Sequence, residues 1–295
     1  MTHAGILYSS EKHAAGTGRR ILLTGLGVVF AVGVACWAIL WRNSSILYTT
    51  ISHGDRARKR VALTFDDGPH PEYTARTLDI LAAHGAKATF FCLGALVDRY
   101  PGIVRRMHHE GHLVANHGFD HSLRDFFRPP DSAHRSIMKS GSIIQGITGY
   151  FPRFYRPPVG IKTPPRVLSA YRLGLAWAGW SRQATDGGSL ALSLHKATSL
   201  VAAMQSGDIL LLHDGRISTT GTMLSSSASC LDKYAQALEA LIGGLRDKGF
   251  ELVRLDLLTG LPPGLDSASA MAGESSSWRL IKAHLGALGQ EKASP

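Results

Sequence analysis

RKRVALTFDDGPHPEYT, Arg58–Thr74, carries a short apolar run that breaks onto two adjacent carboxylates, a glycine and a proline. Val61–Phe65, VALTF, has the β-branched and aromatic content of a buried strand and stops at a Gly-Pro turn signal. Asp66 and Asp67 therefore sit at the C-terminal lip of a sheet. Like charges placed side by side there repel, so each needs its own partner or its own task.

Outward from this strand, apolar runs alternate with helical patterns. Strands are expected at Ala88–Cys92, Leu113–Asn116, Phe154–Arg156, Leu175–Trp180, Ile209–His213 and Glu251–Leu255. The stretches TARTLDILAAHG, GIVRRMHHEG and LDKYAQALEALIGGLRDKG read as helices that finish on Gly85, Gly111 and Gly249. Such alternation predicts an α/β fold with a parallel sheet covered by helices, either open or closed into a barrel. In these folds the strand ends carry the site.

The strand ends are unusually polar. The third runs into NHGFDH, which sets His117 and His121 four apart on one face of a turn; with a carboxylate they make a three-ligand set for a divalent metal. The chain has 14 histidines, so the pair alone is weak evidence, and His84, His108, His109 and His134 read as surface residues. The fourth ends in FYRPPVG, where the following proline holds Arg156 extended and fixes where its guanidinium points. WSRQATDGG supplies Trp180 and Asp186, and GDILLLHDG breaks a buried strand onto His213 and Asp214. Packing alone gives no reason for acids, bases and an arginine to share one topological position.

At 295 residues the chain can bury a large core. Ile21–Trp41, ILLTGLGVVFAVGVACWAILW, has no charge and is flanked by Arg19, Arg20 and Arg42. It is long enough for a transmembrane helix, with Trp37 and Trp41 suited to an interface. A buried core helix and a cleavable signal peptide are the competing readings; the twenty residues before the run favour an uncleaved signal anchor. Positive charges on both sides leave its orientation open on the charge rule alone. The net charge of +10 suits an anionic surface, yet no nucleic-acid motif is present. Three cysteines make no disulfide framework, although Cys92 and Cys230 could pair if the fold brings them together.

Five ordered motifs, TFDDGPHP, NHGFDH, RPPVG, WSRQATD and LLLHDG, resemble those of the polysaccharide deacetylases, the NodB-type carbohydrate esterases, from about residue 60 to 258. The resemblance implies an incomplete (β/α)7 barrel of parallel strands, here preceded by one transmembrane helix. The expected layout is a tail (1–20), the anchor (21–41), a linker (42–59), the deacetylase domain (60–258) and a C-terminal tail (259–295). The tail includes a short amphipathic stretch, SWRLIKAHLGALG, to which no function is assigned.

The resemblance also implies roles. Asp66 is the general base; Asp67, His117 and His121 hold a divalent metal, zinc first, with cobalt or nickel as alternatives. Strand alternation is expected to send the two aspartates in different directions. His213 is the general acid, Arg156 orients the base, and Asp186 is a partner carboxylate. The Val159 main-chain N–H faces the oxyanion, while Trp180 and Leu211 line an acetyl-methyl pocket. Asp214 is expected to settle the turn after its strand. Three positions depart from the family pattern: Gly118 replaces Ser or Thr, Val159 replaces Tyr, and Gly187 replaces Trp.

The implied activity is metal-dependent N-deacetylation of an N-acetylglucosamine-containing glycan by an enzyme anchored in the cell membrane through residues 21–41, its domain outside the cytoplasm. An O-acetyl esterase on a xylan-like glycan and a non-catalytic wall-glycan-binding protein are the alternatives. The loops Ser122–Asp131 and Gly215–Cys230 are expected to set substrate choice. Neither the glycan nor the oligomeric state follows from the sequence.

Overall fold

The computed structural model describes residues 23–37, 43, 45, 48–121, 130–187, 192–215, 217, 223–224 and 227–265. Residues 23–37 form helix α1, whose Leu23, Leu26, Val29, Phe30 and Trp37 are all exposed. Among the described residues no helix is long and apolar enough to cross a membrane. Residues 21, 22 and 38–41 of the expected span lie outside the described residues, as do the tail 1–20, the loop residues 122–129 and the C-terminal amphipathic stretch.

The strands are β1 (Thr50–Ile51), β2 (Arg60–Asp66), β3 (Thr89–Cys92), β4 (Leu113–Asn116), β5 (Phe151–Pro152), β6 (Phe154–Tyr155), β7 (Ala176–Ala178), β8 (Arg182–Gln183), β9 (Ile209–His213), β10 (Glu251–Leu252) and β11 (Gly264–Leu265). The main sheet is parallel, in the order β1-β7-β6-β4-β3-β2-β9-β8, with β10 also on β2, while β11 pairs antiparallel with β5. All seven expected strands are present. The last is shorter than expected, because the chain turns after Leu252 into the helix Leu255–Thr259.

β7 and β8 are three residues apart in sequence yet fall near opposite ends of this order. A three-residue connection reaches only about 14 Å. The sheet must therefore curl until its two ends meet, and the run 176–183 serves both: Ala176 and Trp177 pair with β6, while Arg182 and Gln183 pair with β9. β1, from the stretch expected to be a linker, lies beside β7 and completes that edge.

Helices wrap the outside: α2 (Tyr73–Ala83), α3 (Gly94–Arg99), α4 (Pro101–His109), α5 (Pro130–Thr148), α6 (Pro164–Arg172), α7 (Leu194–Ala203), α8 (Ala228–Asp247) and α9 (Leu255–Thr259). The three expected helix ends share one construction. Gly85, Gly111 and Gly249 have φ of 57°, 81° and 79°, and the next N–H bonds back to Leu81, Met107 and Leu245 respectively. These are Schellman caps, which turn each chain directly into the sheet.

Alternation along the strands divides the core. Val61, Leu63, Phe65, Phe90, Val114, Leu210 and Leu212 face the helices, with Leu78, Leu238 and Leu241 packed among them. Ala62, Phe91, Leu113, Ala115, Phe154, Ala176, Ala178, Ile209 and Leu211 face the barrel interior. Cys36, Cys92 and Cys230 form no disulfide with one another, so the fold does not bring Cys92 and Cys230 into a bridge.

Candidate active site

The inward parity, continued to the C-terminal end of each strand, places the site. Positions 62 and 64 lead to Asp66, 113 and 115 to His117, 154 to Arg156, 176 and 178 to Trp180, and 209 and 211 to His213. Register aligns these ends in one row: Asp66 is opposite both Phe91 and His213, and Asn116 opposite both Cys92 and Tyr155. The site is the top layer of the barrel's own interior.

Asp66 and Asp67 do not point apart, contrary to the expectation from strand alternation. The strand ends at Asp66, and Asp67 enters the left-handed region at φ 71°, which turns its side chain back to the same cavity. Their repulsion is met by separate partners. Arg156 donates to Asp66 Oδ1 at 2.7 Å and to Thr64 Oγ1 at 2.9 Å, with its other nitrogens on the carbonyls of Ala178 and Gly179. The guanidinium is fully buried over the Phe91 ring, 4.1 Å from its centroid. This pair is dry, short and held from below, so Asp66 is fixed with its Oδ2 left toward the cavity.

Asp67 Oδ1 lies 3.3 Å from His117 Nε2 and 3.4 Å from His121 Nε2. The three atoms form the only such metal-competent group among the described residues. Two ligand bonds of about 2.05 Å at a tetrahedral angle span about 3.3 Å, so the spacing fits a zinc-sized ion. Asp67 Oδ1 and both imidazole Nδ1 atoms are buried without hydrogen-bond partners, a cost that a cation among these side chains would offset for the carboxylate. Burial works to raise the Asp67 carboxyl, but the close contact with His117 and the electrostatic interactions with His121 and His213 hold it down at about 2. It is an anion at neutral pH, as a ligand must be.

On the opposite wall, His213 Nδ1 meets Asp186 Oδ1 at 2.9 Å, and the His213 main-chain N–H donates to Asp186 Oδ2 at 3.2 Å. Burial depresses the imidazolium, but the hydrogen bond and charge of Asp186, with Asp67 and Asp66 beyond, raise it to about 9. His213 is thus a proton donor at neutral pH.

The cavity, about 280 Å³, is lined by Trp180, Leu211, Val159, Gly160 and Gly187 together with the five acids and imidazoles. Ile217 also lines it, from the loop expected to contribute to substrate choice; a single apolar residue in a loop carries no sequence signal of this. Among the described residues the three non-glycine positions with positive φ are Asp67, Val159 and Thr185, the last next to Asp186. Backbone strain is concentrated at this site, and at Val159 (φ 62°) it falls on a β-branched residue.

The departures have local accounts. Gly118 has φ 88°, its N–H is held by Asn116 Oδ1 at 2.8 Å, and Ser136 Oγ accepts from Phe119, so the histidine loop is braced without a residue-118 hydroxyl. Gly187 packs under His213, where a Cβ would stand 3.1 Å from the ring. Asp214, pushed up to about 7 by burial, accepts from Thr74 Oγ1 at 2.5 Å, and Thr74 in turn accepts from the His70 N–H. It ties the turn after β9 to the loop after Asp67.

Gly215 follows in that turn, and a Cβ there would collide with the main-chain carbonyl of Asp67. Gly215→Ala is expected to lower stability by about 1–3 kcal/mol and to weaken metal affinity, because the colliding atoms belong to the ligand's own backbone. Thermal melting and metal titration check both; an unchanged metal affinity would show that the turn tolerates the shift.

A family profile described as polysaccharide deacetylase matches residues 53–178. The chain is 36% identical over 203 residues to a chitooligosaccharide deacetylase of Bradyrhizobium sp. (strain ANU 289), covering 68% of this chain and 91% of that one. It is 32% identical over 209 residues to a peptidoglycan-N-acetylglucosamine deacetylase of Bacillus cereus, covering 70% and 71%. Among solved structures, a peptidoglycan N-acetylglucosamine deacetylase in complex with 4-naphthalen-1-yl-N-oxidanyl-benzamide superposes with a TM-score of 0.64 at 28% identity, covering 73% of this chain and 95% of that one. A family 4 acetyl xylan esterase from Clostridium thermocellum, in complex with a cobalt ion, gives 0.56 at 31% identity over 69% and 93%. Similarity on this scale establishes that the chain belongs to the polysaccharide deacetylase family.

Proposed function

We propose that this chain is a divalent-metal-dependent deacetylase of an N-acetylglucosamine-containing glycan, anchored in the cell membrane with its barrel outside the cytoplasm. The observation that carries the reading is the convergence of Asp67, His117 and His121 between two differently charged pairs, Asp66–Arg156 and His213–Asp186. Relatives named as a chitooligosaccharide deacetylase and a peptidoglycan-N-acetylglucosamine deacetylase support the substrate class.

A cation held by Asp67, His117 and His121, with zinc our choice, would polarise the N-acetyl carbonyl and acidify a water. Asp66, fixed by Arg156 through Oδ1, takes the proton of the attacking water at Oδ2. His213, oriented through Nδ1 by Asp186, donates from Nε2 to the departing amine. The Val159 N–H faces the oxyanion, and Trp180, Leu211 and Ile217 wall in the acetyl methyl. The environments of the two pairs separate base from acid: one carboxylate neutralised by a buried arginine, one imidazole kept protonated by a buried carboxylate.

For the anchor, the apolar surface that α1 exposes over residues 23–37 supports the membrane reading. A reporter fused after Pro295 that scores cytoplasmic would defeat this placement. For the activity, purified protein is expected to release acetate and free amine in equal amounts from N-acetylglucosamine oligomers. Thorough chelation should cut that rate by about 10²-fold or more, and zinc should restore it. Full activity in the chelated sample would remove the metal from the reading, and acetate from acetylated xylan alone would favour the esterase.

A further inference from the structure

The stretch between the apolar run and β2 decides how far from the membrane the barrel can work. If residues 42–59 were a free linker, its 18 residues could carry the site up to about 60 Å from the membrane. They are not free. Asn43 Nδ2 donates to the Trp180 carbonyl at 2.8 Å, and its Oδ1 fills the space a Gly179 side chain would take. Tyr48 Oη donates to the Leu175 carbonyl at 2.7 Å, and Thr50 and Ile51 pair with Trp177 and Ala178. Asn43, Tyr48, Thr50 and Ile51 are thus held along the run 175–180, whose last residue lines the active-site cavity.

The apolar run ends at Trp41, two residues before Asn43. Whatever path joins them, Asn43 stands within about 8 Å of the end of that run. With residues 21–41 as the anchor, the wall of the active site is held at the bilayer surface. A second observation lies on the same side. Tyr48 shares a core cluster with Ala170 of α6 and with Leu173 just past its end, and on the outer face of that helix Leu168 and Tyr171 remain 39% and 46% exposed, one turn apart. An apolar and an aromatic side chain at this spacing suit the interfacial layer of a membrane.

We infer that the substrate is an N-acetylated saccharide carried by a membrane lipid, presented to the site at the bilayer surface. This rests on the deacetylase reading and on residues 21–41 as the anchor. Amide and water give free amine and acetate, as before; what changes is where the sugar is held.

The test uses the full chain reconstituted in vesicles, with a polyprenyl-pyrophosphate-linked N-acetylglucosamine oligosaccharide in the same vesicles and the soluble oligosaccharide of equal length as competitor. The lipid-linked form should be favoured by about 10²-fold in initial rate at equal bulk concentration, from its higher effective concentration. A variant with twenty Gly/Ser residues inserted between Arg42 and Asn43, a chain of about 25 Å root-mean-square length, should keep its rate on the soluble form and lose about tenfold of the preference. Equal rates on both forms, or a preference that the insertion leaves unchanged, overturn the inference. Acetate from neither form overturns the deacetylase reading itself, and this inference with it.

Discussion

Asp66→Asn is expected to lower kcat for deacetylation by about 10²–10⁴-fold while the protein still binds its divalent ion. His117→Ala should lose activity to a similar degree by losing the ion. The contrast follows from which partner each side chain serves. Asp66 lies 3.9 Å from His117 Nε2 at its nearest and is held by Arg156, so its carboxylate is outside the ligand group. Asparagine keeps an oxygen for the Arg156 N–H but cannot take a proton from water. Breaking a buried ion pair commonly costs about 3–5 kcal/mol; here the retained acceptor and the Ala178 and Gly179 carbonyls place the loss at the lower end. The measurements are kcat, bound metal by elemental analysis, and thermal melting. Asp66→Asn protein that has lost its metal would place Asp66 among the ligands, and undiminished kcat would remove it as the base.

The reason Asp66 and Asp67 were legible in the sequence, and much around them was not, lies in what leaves a periodic trace. A five-residue buried strand ending on charged residues stands out against its neighbours, as do His117 and His121 one helical turn apart. β1 and β8 have two residues each, too few for a period-two pattern, so the way the sheet curls onto itself was invisible. The direction of Asp67 does not follow from alternation, which assumes extended backbone, and a positive φ on a non-glycine residue leaves no mark in composition. The floor beneath Arg156 is made of Phe91 and two main-chain carbonyls, none distinguishable in sequence from ordinary core. Asn43 was likewise unremarkable, because a tether and a strap differ only in what they touch.

These features share a logic. Where the strands are regular, inward parity delivers Asp66, His117, Arg156, Trp180 and His213 to one layer without strain. Where a further group is needed beside that layer, the chain leaves regular geometry: Asp67, Val159 and Thr185 each adopt a left-handed conformation within the motifs that build the cavity. Such conformations cost about 1–3 kcal/mol each and persist because close packing over-determines them, as the contact of Gly215 with the Asp67 main chain shows.

Asp186→Asn should move the alkaline limb of the kcat/KM profile to lower pH and reduce the rate at pH 8 by about tenfold or more. In the native protein the His213 imidazolium persists up to about pH 9, because its bond to Asp186 outweighs the cost of burial. The folded value lies above the ordinary 6.5, so the interaction contributes stability fully below about pH 6.5 and loses it as pH rises through about 9. Activity follows the same direction, since only the protonated ring can donate to the departing amine. A cation on Asp67 cancels part of the rise, as Asp67 and Asp66 supply its smaller share; the loaded enzyme should therefore turn down somewhat below pH 9. Asparagine at 186 preserves a hydrogen-bond acceptor but removes the charge, which leaves burial to depress the ring. The limb should then fall toward or below the ordinary histidine value. His213→Gln provides the reference: it should abolish the limb and lower kcat by about 10²–10⁴-fold at every pH. A limb that stays in place in Asp186→Asn protein would show that the group titrating there is not His213, and would leave the departing amine without its assigned proton donor.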